Sequence, residues 1–371
     1  MVERQAEFGE ADHARDIGRI AGLGNAAAGR ATNPSGSGIS WSAGRDPAGG
    51  DRAMEQRAFG RTGLRLSVLG YGAGAVGGLL VRGTAAEQER SLARAFDAGI
   101  NYVDTAAAYG DGQSERNLGR ALKALGATPI LGTKVRLAAA TPGDIAGAIA
   151  ASLEASLARL GRDHVDLFQL HDAIGEPGGL TVPQVLGEAM PALQRLRAAG
   201  KCRFIGITAL GTVPALRAMI EAGVFDTAQI PFNALNPSWL APKPAGLPGE
   251  DFAQLGVGAG LGLIGIRILA AGALSGEAER HPIAMPDVAP IASATHYADD
   301  LAAARRLRPL VAEGVAGSLA ELAVRYAAFA PGMGCALIGT ASVAQLETAL
   351  AAVARGPLPA EALARIGALL A

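Results

Sequence analysis

Asp104, Tyr109, Lys134 and His171 are the side chains of this chain whose types and spacing can do chemistry. Three of them close short apolar runs: Asn101-Tyr102-Val103-Asp104, Pro129-Ile130-Leu131-Gly132-Thr133-Lys134 and Val165-Asp166-Leu167-Phe168-Gln169-Leu170-His171. Tyr109 follows Asp104 in a loop of small residues. A free phenol ionises near pH ~10. An ammonium beside it stabilises the phenolate, and a carboxylate holds the ammonium in place. Such a phenol can give a proton to a developing alkoxide or take one from an alcohol, the proton half of carbonyl reduction or alcohol oxidation by hydride. Tyr109 is then the general acid and base, Lys134 tunes it, Asp104 pairs with Lys134, and His171 orients the substrate oxygen. Taken singly, Asp104 reads as a turn cap, Lys134 as a surface residue and His171 as loop packing. Together at successive strand ends, with Ser114-Glu115 close by, they favour the catalytic reading. Lysine is scarce besides (Lys123, Lys134, Lys201 and Lys243 against many arginines), so one at a strand end is less incidental.

The elements that must position these residues alternate along the chain. Short apolar runs at 68–72, 102–104, 130–134, 165–171, 204–208, 228–230, 263–266 and 336–339 read as strands. Helical patterns follow at 85–98, 114–125, 142–160, 182–199, 213–222, 250–259, 319–330 and 343–354, with an extra helix at 297–311 and a closing one at 360–370. Eight strand–helix units in about 300 residues predict one (β/α)8 TIM barrel, whose strand ends converge on a single catalytic face. A hairpin of 57–59 with 64–66 is expected before it. Residues 1–53 lack periodicity and carry Asn33-Pro34-Ser35-Gly36-Ser37-Gly38 and Asp46-Pro47-Ala48-Gly49-Gly50-Asp51. They read as a disordered or loosely attached extension, and 54–371 as the barrel.

Composition removes several functions. Half the residues are hydrophobic and the net charge is −1, which leaves no basic footprint for nucleic acid. The most apolar stretch, 255–274, is broken by glycines and by Arg267, so no membrane span is expected. Cys202 and Cys335 stand far apart in no metal or redox spacing, and read as free buried thiols of a cytoplasmic protein. No His, Asp and Glu grouping has metal-ligand spacing, so no metal is expected.

Two glycine strings imitate a dinucleotide fingerprint: Gly72-Ala73-Gly74-Ala75-Val76-Gly77 and Gly260-Leu261-Gly262-Leu263-Ile264-Gly265. The first runs on into 78–83, read as a loop. The next strand ends at Asp104, already assigned. The second enters a strand instead of following one, so both lack the order a Rossmann unit needs. Barrel phosphate sites lie instead after strands seven and eight. Here those loops are 269–276 and 339–345, small-residue turns of which the second opens a helix whose N-terminus favours an anion.

The four polar residues, Asp104-Thr105-Ala106-Ala107-Ala108-Tyr109-Gly110 and the opening at Met54-Glu55-Gln56-Arg57-Ala58-Phe59-Gly60 together resemble the aldo-keto reductases from about Met54 onward. Met54 resembles the usual start of such a chain, with the hairpin plugging the barrel bottom. Within the family, Phe168-Gln169-Leu170-His171-Asp172, Arg203-Phe204-Ile205-Gly206-Ile207-Thr208 and Glu279-Arg280-His281-Pro282 are similar to the L-galactose, L-fucose and threo-aldose dehydrogenase branch. The resemblance implies oxidation of a sugar lactol at C1 to a lactone with NAD or NADP. It makes Thr208 and Gln229 the carboxamide contacts. Leu269, Ala271, Gly272, Leu274, Gly339, Thr340, Ser342 and Gln345 become the dinucleotide contacts, and Asp172, Trp239 and His281 the substrate contacts. Three departures stand out. The usual Ser-Asn after the fifth strand is Thr208-Ala209, the aromatic after strand seven is replaced near Ile266 and Arg267, and the eighth loop lacks the cations that grip a 2′-phosphate. NAD is therefore expected over NADP. A broad NADPH-dependent aldehyde or ketone reductase is the alternative, and a nucleotide-sensing, non-catalytic barrel subunit the alternative of another kind. The oligomeric state is not legible.

Overall fold

The computed structural model describes residues 54–137, 143–237, 252–291 and 293–371, with backbone alone at 252–254. The expected extension over 1–53 falls outside these residues, as does Trp239. Strands β1 (Gln56–Ala58) and β2 (Arg65–Ser67) form an antiparallel hairpin. Eight parallel strands then close a barrel: β3 (Leu69–Gly72), β4 (Tyr102–Asp104), β5 (Ile130–Val135), β6 (Val165–Leu170), β7 (Cys202–Thr208), β8 (Thr227–Pro231), β9 (Gly262–Ile266) and β10 (Cys335–Gly339). Neighbours pair in sequence order, and β10 closes the ring by pairing with both β9 and β3. Closure leaves the barrel sheet without an edge.

Helices pack outside: α1 (Leu79–Arg82), α2 (Ala85–Asp97), α3 (Gln113–Leu125), α4 (Ile145–Leu160), α5 (Met190–Ala198), α6 (Val213–Glu221), α7 (Phe252–Gly258), α8 (Tyr297–Arg305), α9 (Arg308–Ala312), α10 (Leu319–Ala328), α11 (Val343–Ala354) and α12 (Ala360–Leu370). Among the described residues no helix is long and apolar enough to cross a membrane. Local sequence explains several. At α2, Thr84 and Glu87 form a reciprocal capping box, and Gln88, Ser91, Leu92 and Ala95 turn one face inward at helical spacing. Ser342 caps α11 through its bond from Gln345 N.

Three expectations need correction. Residues 78–83 are not an open loop: Leu79–Arg82 make one helical turn, closed where Gly83 N donates to Leu79 O at 2.9 Å. The stretch 182–199 is three pieces, a turn at Val182–Gln184, a π turn at Val185–Ala189 and α5. The single helix expected over 297–311 breaks into α8 and α9, because Pro309 cannot donate to the preceding turn and its ring clashes there.

The hairpin seals the barrel floor. Phe59 is fully buried and packs with Leu66, Tyr102, Leu167, Ile264, Cys335 and Leu337 inside the ring. Gly262 permits this approach, since a Cβ there would lie 2.7 Å from the Phe59 ring. Arg57 Nη1 donates to Ala328 O at 2.7 Å and Met333 O at 2.9 Å, and Arg61 Nη2 donates to Gly223 O at 2.8 Å and to Phe225 O. Two arginines thus bolt the plug to the barrel.

Candidate active site

Asp104 ends β4, Lys134 lies near the end of β5 and His171 follows β6, so parallel strands deliver all three to the same rim. Tyr109 arrives by a loop whose return is built from successive left-handed residues, Gly110 (φ 60), Asp111 (φ 50) and Gly112 (φ 77). The first turn of α3 pins that loop. Ser114 Oγ meets Thr105 Oγ1 at 2.9 Å and donates to Ala73 O at 2.8 Å. Glu115, fully buried, accepts from Thr133 Oγ1 and from Arg159 Nε, each at 2.6 Å. The loop carrying the phenol is thereby tied to β5 and α4.

Lys134 is 1% exposed, and its ammonium uses three donors: one to Asp104 Oδ2, one to Thr105 O at 2.7 Å and one to Tyr109 Oη at 3.3 Å. Burial alone would lower its pKa. The Asp104 carboxylate and Tyr109 outweigh burial and raise it, so the group stays an ammonium. Asp104 Oδ1 accepts from Gln229 Nε2 at 2.6 Å, Tyr102 Oη at 2.9 Å and Gln169 Nε2 at 3.3 Å. Three neutral donors and one cation thus fix this carboxylate in place. His171 Nδ1 lies 2.8 Å from Thr208 Oγ1, and its ring meets Tyr109 edge-on at 6.1 Å between centroids. Burial, then the fields of Lys134 and Arg136, lower its pKa from 6.5 to about 3, so the imidazole is neutral at pH 7. In the tautomer in which Thr208 donates to Nδ1, the Nε2–H is the donor left for a substrate oxygen.

A cavity of about 630 Å³ opens on this cluster and runs to the loops after β9 and β10. Asp104, Tyr109, His171, Thr208, Gln229, Leu269, Ala271, Gly272, Gly339, Thr340, Gln345 and His281 line it. Other candidates stand elsewhere. Leu274 is fully buried behind the loop, and Ser342 is the helix cap. Asp172 is not a lining residue: its carboxylate accepts from Leu137 N at 2.7 Å and fastens the loop after β5. Thr208 and Gln229, expected to hold a carboxamide, spend a side-chain contact on His171 and Asp104. Sequence reasoning missed Arg136 and Arg280, gave Arg267 no role, and passed over the first glycine string, whose Gly72, Gly74 and Gly77 line the cavity beside the loop after β10.

The far end of the cavity suits a dinucleotide. A Cβ on Gly339 would meet no protein atom closer than 3.5 Å, and one on Gly74, beside the Tyr109 ring, none closer than 4.0 Å, so bare backbone faces the cavity at both places. Thr340 Oγ1 lacks a partner of normal geometry, although Tyr71 Oη, committed to Ser91 Oγ at 2.9 Å, lies beside it. Ala341 N is taken by Gln345 Oε1 at 2.8 Å and Gln345 N by the Ser342 cap at 3.3 Å, which leaves the first-turn amides of Val343 and Ala344 for phosphate oxygens.

Comparison with known proteins agrees with this geometry. Residues 68–371 match the model of the Aldo/keto reductase family. L-galactose dehydrogenase from Arabidopsis thaliana is 31% identical over 321 residues, covering 81% of this chain and 88% of its own. D-threo-aldose 1-dehydrogenase from a Pseudomonas species is 34% identical over 190 residues, 44% of this chain and 56% of its own. Among solved structures, an aldo-keto reductase from Bacillus halodurans in its holo form superposes with a TM-score of 0.65 at 25% identity, covering 86% of this chain and 97% of the other. The chain belongs to the aldo/keto reductase family, and it is a nicotinamide-dependent oxidoreductase.

Proposed function

We propose that the protein oxidises a sugar lactol at C1 to the lactone, with NAD preferred over NADP. The observation that carries the chemistry is the Tyr109 hydroxyl, 3.3 Å from an ammonium that is buried and paired with Asp104. The similarity to L-galactose and D-threo-aldose dehydrogenases supports the sugar. When bound, the nicotinamide supplies the hydride acceptor. Lys134 stabilises the Tyr109 phenolate, whose Oη takes the proton of the C1 hydroxyl and becomes the neutral phenol, and Asp104 keeps Lys134 charged and in place. His171 donates to the same substrate oxygen and fixes its position. Lys134 and Asp104 are buried, which strengthens the contact between them. Glycine backbone at Gly74 and Gly339, Thr340 and the start of α11 would hold the dinucleotide.

The preference for NAD rests on the loop at 339–345, which offers hydroxyls, amides and no cation. Glu277 and Glu279 line the cavity and would repel a 2′-phosphate. Arg280 favours the second reading, an NADPH-driven aldehyde reductase. Its Nε and Nη1, however, already donate to Met285 O at 2.7 Å and Ala271 O at 2.8 Å. A cytoplasmic location is supported by two buried free cysteines, Cys202 and Cys335. The test is kcat/KM for L-galactose, L-fucose and small aldehydes with each cofactor in both directions. Sugar oxidation with NAD as the best couple upholds the proposal, and aldehyde reduction with NADPH as the best couple replaces it. Tight cofactor binding without turnover of any substrate would make the protein a nucleotide-sensing barrel.

A further inference from the structure

Arg267 directly follows β9, and it lines the cavity beside the catalytic cluster. Its backbone is left-handed (φ 57), a region that residues with side chains rarely occupy. Asn233 holds it there: Nδ2 donates to Arg267 O at 2.9 Å, while Oδ1 accepts from Leu235 N at 2.9 Å and Asn236 N at 3.0 Å. Strain maintained by a dedicated latch marks a functional position. The half-buried guanidinium donates to Ala289 O at 3.3 Å, and no described carboxylate reaches ion-pair distance of it. Asp300, the acid whose field reaches Arg267, is engaged by Ser293 Oγ at 2.9 Å. Burial accordingly holds the guanidinium below the ordinary arginine value, with the field of Tyr109 opposing it. A cation drawn from water without a counter-charge is costly, and the planar fork of arginine matches a carboxylate or a phosphate.

Arg136 faces it. It stands one residue beyond β5, four strands from β9 around a ring of eight and so on the opposite wall, and it lines the same cavity. Its guanidinium is exposed at the mouth, close enough for its field to reach His171. The third arginine, Arg280, is spent on two backbone carbonyls and on the Tyr297 ring, 5.2 Å away.

We propose that Arg267 and Arg136 form an anion subsite above the Tyr109–His171 pair, so that the carbonyl or lactol compound turned over carries a carboxylate or phosphate group. The inference rests on the reading of this cavity as the hydride-transfer site. The cofactor diphosphate is the other source of the same chemistry, and the experiment separates the two. Calorimetric titration of the Tyr109→Phe protein saturated with NAD removes turnover from the readout. D-galacturonate against D-galactose, and glyceraldehyde 3-phosphate against glyceraldehyde, are the paired probes. The acidic member of each pair is expected to bind at least about tenfold tighter. Adding Arg267→Met should cost the acidic probes about 10- to 100-fold, the worth of one charge-assisted contact. Neutral probes and the Kd for NAD should move less than about threefold, and Arg267→Lys should restore part of the loss. Arg136→Met, at an exposed position that does not bear on folding, should also weaken only the acidic probes. Equal binding of acidic and neutral probes overturns the proposal. So does a loss of NAD affinity in Arg267→Met with the acid preference intact, which assigns the guanidinium to the diphosphate. Tight binding of the acidic probes to a wild-type enzyme that turns over no sugar or aldehyde upholds the subsite and refutes the proposed activity instead.

Discussion

Mild acid should destabilise this protein through His171. In the folded state burial, with the fields of Lys134 and Arg136, lowers the imidazole pKa from 6.5 to about 3. In the unfolded chain the same ring ionises near ~6.5. Between those values the unfolded state binds a proton that the native state refuses, so stability is full above pH 6.5 and is lost as pH falls toward 3. The slope is about 1.4 kcal/mol per pH unit, which makes the loss about 2 kcal/mol between pH 7 and pH 5. Urea denaturation at both pH values measures it in the wild type and in His171→Gln, whose amide can still meet Thr208 but cannot titrate. Other groups titrate alike in both proteins, so the difference between the two losses isolates the imidazole. If His171→Gln loses as much stability as the wild type, the ring is not held neutral by its surroundings and the account of this site fails. The same assignment forbids an inflection near pH 6.5 in kcat/KM that disappears in the variant.

Tyr109→Phe is expected to bind cofactor normally and to lose about 10²–10⁴-fold in kcat, the usual contribution of an acid–base group. Stopped-flow titration and steady-state rates check both halves, and retention of a tenth of the activity would remove Tyr109 from its role. Asp104→Asn puts an amide against the Lys134 ammonium and removes its only carboxylate partner among the described residues, so it should cost about 3–5 kcal/mol in urea unfolding as well as activity. An unchanged midpoint would mean that Lys134 is not charged when folded. Gln345→Arg should shift the kcat/KM ratio toward NADP by about 1.5–3 kcal/mol, one charge-assisted bond. No shift, together with a wild type that already prefers NADP, would place the 2′-phosphate elsewhere.

The barrel and the meeting of Asp104, Tyr109, Lys134 and His171 at one rim were legible because each depends on short-range signals: an apolar run, the polar residue that ends it, and the helix pattern after it. The support beneath them was not. Tyr102, Gln169 and Gln229 converge on one oxygen of Asp104 from three strands, and nothing local in the sequence links a glutamine on β6 or β8 to an acid on β4. Gln229 reads from sequence as a cofactor contact alone, and the bond from its amide to Asp104 is visible only in the structure. Asp172 looked like a substrate contact by its place beside His171, yet alternation along the chain turns it toward Leu137 N. The helical turn at Leu79–Arg82 is too short to show a period, and the π turn at Val185–Ala189 keeps the same apolar pattern as an ordinary helix. Arg267 was visible only as an unusual residue where an aromatic is common. Its aim into the cavity depends on a left-handed backbone that sequence does not announce.

The stopper at the barrel floor has a kinetic consequence. Phe59 and its apolar neighbours fill the space below Asp104, and burial pushes the ionisation of the two titratable side chains among them, Tyr102 and Cys335, far up, so neither is a ready carrier of a proton downward. Lys134 likewise spends its donors on Asp104, Thr105 and Tyr109. The way out from the cluster thus runs through the cavity that opens on Tyr109. Whatever proton Tyr109 accepts must leave by the mouth through which substrate entered, and it can do so only when the product no longer blocks the way. Deprotonation of the enzyme and departure of the product are in that sense one event, and an exchange of solvent isotope at Tyr109 should wait for the exit of the molecule above it.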